Sequence, residues 1–399
     1  MLTKGQLEKY AEVMIWGLKT ARKGTFKKNE TILLRFDQAA VALAERLQGK
    51  LLDMGLNTVL RPGLTPTMER NFYEKANSRQ LAFVPPGEKE LCEALNGSIF
   101  LHAPESLTHL GSVDPKKIGR AVVARKPLKD ILDRREAGGD FAWTLCMMPT
   151  AELARQAGLS SNAYANQIVR ACYLDKKDPV DAWKGIYRQA AGIKKWINGL
   201  DIQSLHVASA GTDLVIRPGK QRKWVGISGH NIPSFEIFLS PDWRGTEGIY
   251  YADQPSFRSG NYVEGVRLTF KKGRVVKVEA RKGKAFVQKQ LTMDDGASRV
   301  GEFSLTDRRF SRINRFMANT LFDENYGGRQ GNCHLAVGAS YSDTYDGDPA
   351  KLTTQMKQKL GFNDSALHWD LVNTEEKRVT ARLGNGKDVV IYENGMFSR

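Results

Sequence analysis

Near the end of this 399-residue sequence, His368 and Asp370 stand two residues apart in the run Ser365-Ala366-Leu367-His368-Trp369-Asp370. In a strand, residues i and i+2 point to the same face. One imidazole nitrogen and one carboxylate then converge on one point, the beginning of a metal site, while Leu367, Trp369 and Leu371 face a core. Alone, such a triplet is more often a surface or hydrogen-bonded pair. Three further polar residues sit in apolar, strand-like runs upstream. They are Glu236 in Asn231-Ile232-Pro233-Ser234-Phe235-Glu236-Ile237-Phe238, Glu302 in Val300-Gly301-Glu302-Phe303-Ser304-Leu305, and His334 in Gly331-Asn332-Cys333-His334-Leu335-Ala336-Val337-Gly338. Each one singly reads as a capped or hydrogen-bonded polar residue, because a lone carboxylate is costly to bury. Together the set offers three carboxylates and two imidazoles, which suits two divalent ions sharing a bridging carboxylate. Mixed oxygen and nitrogen ligation favours zinc, cobalt or manganese without choosing among them. Two such ions orient and deprotonate a water and stabilise the oxyanion of an amide hydrolysis. Tyr341, seven residues after His334, is placed to donate its phenolic proton to that oxyanion. The competing reading of Tyr341 is a packed loop tyrosine.

The elements that must hold these residues differ between the two halves. Residues 2–20 carry Leu7, Tyr10, Ala11, Met14 and Leu18 at helical spacing, an amphipathic helix rather than a signal peptide. Thr31 to Phe36, Asn57 to Leu60, Ser98 to His102 and Ala142 to Cys146 read as strands alternating with helices over 39–54, 68–77, 115–136, 149–159, 163–172 and 179–200. That alternation predicts an open, mainly parallel α/β sheet with helices on both faces. No GxGxxG or GxxxxGK[ST] follows the first strand, so nucleotide binding has no motif support. From Asp201 onward, strand runs and turns dominate: 204–208, 212–216, 223–227, 260–270 and 274–280, with a hairpin turn at Lys271-Lys272-Gly273. Helices are predicted over 284–292, 310–321 and 352–360. The reading is two domains, an α/β domain over 1–200 and an α+β domain over 201–399. The second has a large, curved, mainly antiparallel sheet that carries the metal site.

Composition narrows the function classes. Apolar residues make up 41% and charged residues 26%, ordinary values for a globular chain. No stretch is apolar for long enough to span a membrane. The four cysteines, Cys92, Cys146, Cys172 and Cys333, form no CxxC pair and fit a reducing cytoplasm. The net charge of +16 raises the question of nucleic acid. The basic residues are dispersed in turns and on helix faces, without a dense tail or an RNP-type aromatic strand, so a solvated basic surface is the better reading.

At the residues that carry the chemistry, the sequence resembles the aminopeptidase T / aminopeptidase S / PepS family of dinuclear metallo-aminopeptidases. The resemblance covers nearly the whole chain. It runs from Leu7-Glu8-Lys9-Tyr10-Ala11 through Trp143, Pro149-Thr150-Ala151 and Asp178-Pro179-Val180, and is tightest in the successive blocks NIPSFEIF, GNYVEGVRLTFKKGRVV, VGEFSL, NCHLAVGASY and SALHWDLV. It implies that Glu236, Glu302, His334, His368 and Asp370 are the metal ligands, that Glu302 is the bridge, and that Tyr341 is the catalytic tyrosine. It further implies release of N-terminal residues from short peptides by a homodimer in the cytoplasm. The chain departs from the pattern at His230, Phe235, Asn373 and Ser342-Asp343-Thr344, none of which removes a ligand. His230 and Phe235 bear on the pocket, and His230 is also a candidate to support a ligand from behind. Two alternatives follow from the residues alone: a dinuclear hydrolase of another bond, such as a phosphoester, and a basic nucleic-acid-binding protein.

Overall fold

The computed structural model describes residues 1–399. The chain divides into two compact units. The first comprises residues 1–187, 227–234 and 317–321, and the second residues 188–226, 235–316 and 322–399.

In the first unit the strands Thr31–Phe36, Asn57–Pro62, Gly97–His102 and Ala142–Met147 form a parallel sheet, with Asn231–Ile232 added at one edge. The predicted alternation of strands and helices is therefore found, and the sheet is parallel throughout. The apolar run Ile32-Leu33-Leu34 is buried, as a strand covered on both faces requires. The N-terminal helix Lys4–Ala21 is fixed by a capping box between Thr3 and Gln6. It buries the five residues that its spacing singles out, Leu7, Tyr10, Ala11, Met14 and Leu18.

The second unit is mainly antiparallel, and its strands make two principal sheets. Eight strands join residues 202–216, 247–252, 266–279 and 377–397; a separate sheet of four runs in the order His368–Asn373, Asn332–Gly338, Val300–Thr306, Glu236–Leu239. All five candidate ligands lie on the smaller sheet. The hairpin at Lys272-Gly273 forms as predicted. Both turn residues have positive φ, 49° and 72°, the left-handed pair that a two-residue turn needs to match strand twist.

Three local expectations fail. The stretch 310–321 is not a helix; only Thr320–Asp323 is helical there. Polar side chains compete for its backbone: the Ser311 hydroxyl accepts the Ile313 N–H at 3.2 Å, and the Ile313 carbonyl accepts from Gly327 and Gly328. Residues 223–227 make a single antiparallel bridge, Val225 to Phe238, rather than a strand. Residues 260–270 form two strands, Asn261–Val263 and Val266–Lys271, broken where Gly265 turns to a φ of +63°.

The core face of the smaller sheet is set by alternation. Leu367, Trp369 and Leu371 are 0–1% exposed, as are Phe303, Leu305, Leu335 and Val337. Trp369 donates its indole N–H to Ser256 at 3.1 Å and meets Phe286 edge-on at 6.0 Å. Trp369→Ala is expected to cost this unit about 3–5 kcal/mol, the usual range for emptying a large buried aromatic site. A urea titration followed by circular dichroism checks this, and a loss below about 1 kcal/mol would contradict the packing described.

Candidate metal centre

Strand register brings the candidate residues together. Across the four-stranded sheet, Glu302 is opposite Ala336, and Ala336 is opposite Asp370; Gly338 is opposite His368; His334 is opposite Ser304, and Ser304 opposite Phe238. Paired residues share a face, and so do residues two apart along a strand. Glu236, Glu302, His334, His368 and Asp370 therefore all project from one face. The residues between them, Ser304, Ala336 and Gly338, are small, which leaves room above the sheet. A register irregularity between Val300 and Glu302 puts Gly301 in a bulge. There a Cβ would come within 2.3–2.5 Å of the carbonyls of Ala339 and Gly338. Bulges of this kind re-aim the adjacent side chain, here Glu302.

The distances are short. Nε2 of His334 lies 3.1 Å from Glu302 Oε1, 3.4 Å from Glu236 Oε2 and 3.8 Å from Asp370 Oδ1. Nε2 of His368 lies 3.3 Å from Asp370 Oδ1 and 3.7 Å from Glu302 Oε2. Glu302 thus turns one oxygen to each imidazole, and Asp370 Oδ1 approaches both. Glu236, Glu302 and His334 are buried. The ring of His368 is oriented by the Ala339 carbonyl, which is 2.9 Å from Nδ1. A proton held on Nδ1 leaves the Nε2 lone pair facing the carboxylates.

This donor set fits a metal. A proton on His334 Nε2 serves one carboxylate oxygen well, yet three converge on it. A divalent cation satisfies all of them together with the imidazole lone pairs. Without one, burial opposes charging His334, but the hydrogen bond to Glu302 and the charges of Glu236 and Asp370 raise its imidazole to about 9. His368 is likewise raised by Asp370 and Glu302 against its burial. Burial works to raise Asp370, and the His368 and His334 imidazoles hold it well below the usual carboxylate range.

Tyr341 belongs to the same neighbourhood. Its ring is 4.7 Å from the His368 ring and 5.9 Å from that of Phe238. Its backbone N–H donates to Ser240 Oγ at 2.8 Å, which fixes the residue where the strand ends. The protein packed around its phenol, with the charges of Glu302 and Asp370, pushes its pKa well above the usual value. Tyr341 therefore stays a proton donor, with the residue as a whole 36% exposed.

Sequence reasoning missed two residues here. Glu324 is buried, and its burial with the charges of Glu236, Asp370 and Glu302 raises its carboxyl well above the usual range. The acidic pair Asp323-Glu324 directly after Leu321-Phe322 was the available signal, a weaker one than the apolar run that singled out Glu236. Arg258 donates from Nη1 to the His368 carbonyl at 2.8 Å, and its guanidinium lies 5.5 Å from the Trp369 ring. It thereby caps the open edge of the His368–Asn373 strand. Desolvation lowers it to about 10, with Asp370 opposing.

Of the departures from the family pattern, Phe235 is fully buried and Asn373 is buried with its amide donating to the Tyr251 carbonyl at 2.8 Å. Ser342–Thr344 forms one short 3-10 turn. Both ring nitrogens of His230 are engaged within the first unit, by Ser228 and Glu136.

An antiparallel sheet presenting buried carboxylates and imidazoles from one face suits a protein that holds divalent metal ions. Comparison with known proteins gives the particular family. Residues 3–397 match the family model for thermophilic metalloprotease (M29). The chain belongs to that family and is a metal-dependent peptidase. It is 27% identical over 98% of its length to aminopeptidase PepS of Streptococcus thermophilus, covering 98% of that protein. It is 28% identical over 72% of its length to aminopeptidase T of Thermus thermophilus, covering 73% of it. The fold matches that of the solved AmpT from Thermus thermophilus with a TM-score of 0.79 at 23% identity, over 99% of each chain. These relatives are peptidases, which disfavours the phosphoesterase and nucleic-acid-binding alternatives. No helix is long and apolar enough to cross a membrane.

Proposed function

We propose that this chain is an aminopeptidase that releases N-terminal residues from short peptides, with Glu236, Glu302, His334, His368 and Asp370 holding two divalent ions and Glu302 bridging them. The observation that carries the reading is the convergence of Glu302, Glu236 and Asp370 on the single Nε2 of His334, at 3.1, 3.4 and 3.8 Å. Zinc, cobalt or manganese bound there supplies Lewis acidity that polarises a peptide carbonyl and acidifies a water. The side chains do the rest. Glu302 holds both imidazoles in place and takes up a proton as the water is consumed. Tyr341, kept protonated, donates to the oxygen of the tetrahedral intermediate. Glu324 adds a buried carboxyl beside the cluster.

We further propose a homodimer in the cytoplasm. The four cysteines are all free and buried, which fits a reducing compartment. Gel filtration with light scattering tests the dimer.

The test of function is hydrolysis of an aminoacyl p-nitroanilide panel by the purified chain as isolated, after chelation, and after adding back zinc, cobalt or manganese. The expected result is activity lost on chelation and restored by metal, with p-nitrophenyl phosphate left uncleaved. Phosphate ester turnover without aminoacyl turnover would overturn the reading.

A further inference from the structure

A second trio of reactive side chains lies in the first unit and plays no part in the metal centre. Ser228 Oγ is 2.6 Å from His230 Nδ1, and His230 Nε2 is 2.7 Å from Glu136 Oε1. The other Glu136 oxygen accepts the Trp143 indole N–H at 3.2 Å, and the Trp143 ring packs 4.5 Å from the His230 ring. One helix, one strand and two hydrogen bonds fix the arrangement. Glu136 is in the last turn of the helix Pro115–Gly138, and Trp143 is on the strand Ala142–Met147. The Leu145 N–H donates to the His230 carbonyl at 2.8 Å, and Thr144 Oγ1 donates to the Gly229 carbonyl at 2.8 Å. Ser228, His230, Glu136 and Trp143 are each half-buried.

In the tautomer whose Nε2–H donates to the Glu136 carboxylate, the Nδ1 lone pair faces the Ser228 hydroxyl. A serine whose proton points at an imidazole, itself oriented by a carboxylate, is an activated nucleophile recognised by geometry rather than by chain order. Ser228 stands between Ile227, at a φ of 51°, and Gly229, at a φ of 89°. A β-branched residue in the left-handed region is unusual, and strained turns of this kind present nucleophiles at reactive sites.

We propose that Ser228, His230 and Glu136 form a second, metal-independent hydrolytic site whose substrates are carboxylic esters. Ser228 Oγ bonds to the acyl carbon while its proton passes to His230 Nδ1. The ester C–O bond breaks, and the departing alkoxide takes that proton. Water then attacks the acyl-serine by the same route, which returns the Ser228 hydroxyl and releases the acid. Glu136 acts as the positioning residue. An alkoxide leaves more readily than the amine of an amide, so an ester asks less of the trio.

The test treats the whole chain, chelated so that the metal centre is silent, with a fluorophosphonate probe and separately with p-nitrophenyl acetate. Mass spectrometry of the digest is expected to find the phosphonyl adduct on Ser228. Chelator-resistant ester hydrolysis is expected to fall about 10²-fold or more in Ser228→Ala and His230→Gln. Thermal midpoints show whether the variants are folded, and the wild-type adduct needs no variant at all. Absence of an adduct on Ser228 in the wild-type chain, or ester hydrolysis unchanged in folded Ser228→Ala, would overturn the proposal. Neither result bears on the aminopeptidase, whose activity is the part that the chelator removes.

Discussion

Glu302→Gln is expected to abolish peptide hydrolysis while leaving a folded protein. The substitution keeps the shape of the side chain, buried at 3% exposure, and removes its charge. In the proposed site Glu302 presents one oxygen to His334, at 3.1 Å, and the other to His368, at 3.7 Å. An amide offers one oxygen and an NH2 group with two donors, and the NH2 would face an imidazole lone pair or a cation. In the proposed site the loss would remove both a metal ligand and the acceptor of the water's proton. A term of several kcal/mol corresponds to a fall in kcat/KM of about 10³-fold or more. Metal content by plasma mass spectrometry after dialysis is expected to drop with it, from two ions per chain to one or none. A variant that keeps both ions and turns over within about tenfold of wild type would remove Glu302 from the centre of the proposal.

Tyr341→Phe is expected to act on the rate and leave binding nearly alone. The change deletes one hydroxyl. It preserves the ring that packs 4.7 Å from His368 and 5.9 Å from Phe238, and the backbone bond to Ser240. If the phenol donates to the developing oxyanion, its contribution exists in the transition state and not in the ground state. Loss of one such donor lowers kcat by about 10²–10³-fold. KM is expected to stay within about twofold and metal content to be unchanged. A raised KM at constant kcat would instead make Tyr341 a substrate-binding residue. Loss of metal would make it a support for His368.

Much of this arrangement was legible in the residues because alternation along a strand is a local property. His368-Trp369-Asp370 announces two polar groups on one face and a core residue on the other, and Trp369 is indeed buried while the two polar residues converge. The first unit was equally legible, since a continuous apolar run such as Ile32-Leu33-Leu34 between helices has few options other than a buried parallel strand. The stretch 310–321 was not legible. Its apolar spacing suits a helix, but Ser311 and neighbouring polar groups offer the backbone other partners, and those partners come from residues 325–328.

Arg258 was missed for a related reason. Nothing near it in the chain marks it; its partner is the carbonyl of His368, 110 residues away. The Ser228–His230–Glu136 trio is similar. The sequence places Ser228 and His230 two apart, but only folding supplies Glu136 from 94 residues upstream.

The sequence by itself determined the chemistry available to this protein: three carboxylates, two imidazoles and a tyrosine, each in a run whose alternation fixes which face of its own strand it uses. The tertiary structure alone decided that these faces are one face. Register between strands is set by the whole ladder, and a slip of one residue in any strand would turn its ligand into the core. The small residues opposite the ligands, the bulge at Gly301 and the ladder that places Ala336 between Glu302 and Asp370 made that choice. They did so through contacts between segments up to 70 residues apart, which no local pattern contains.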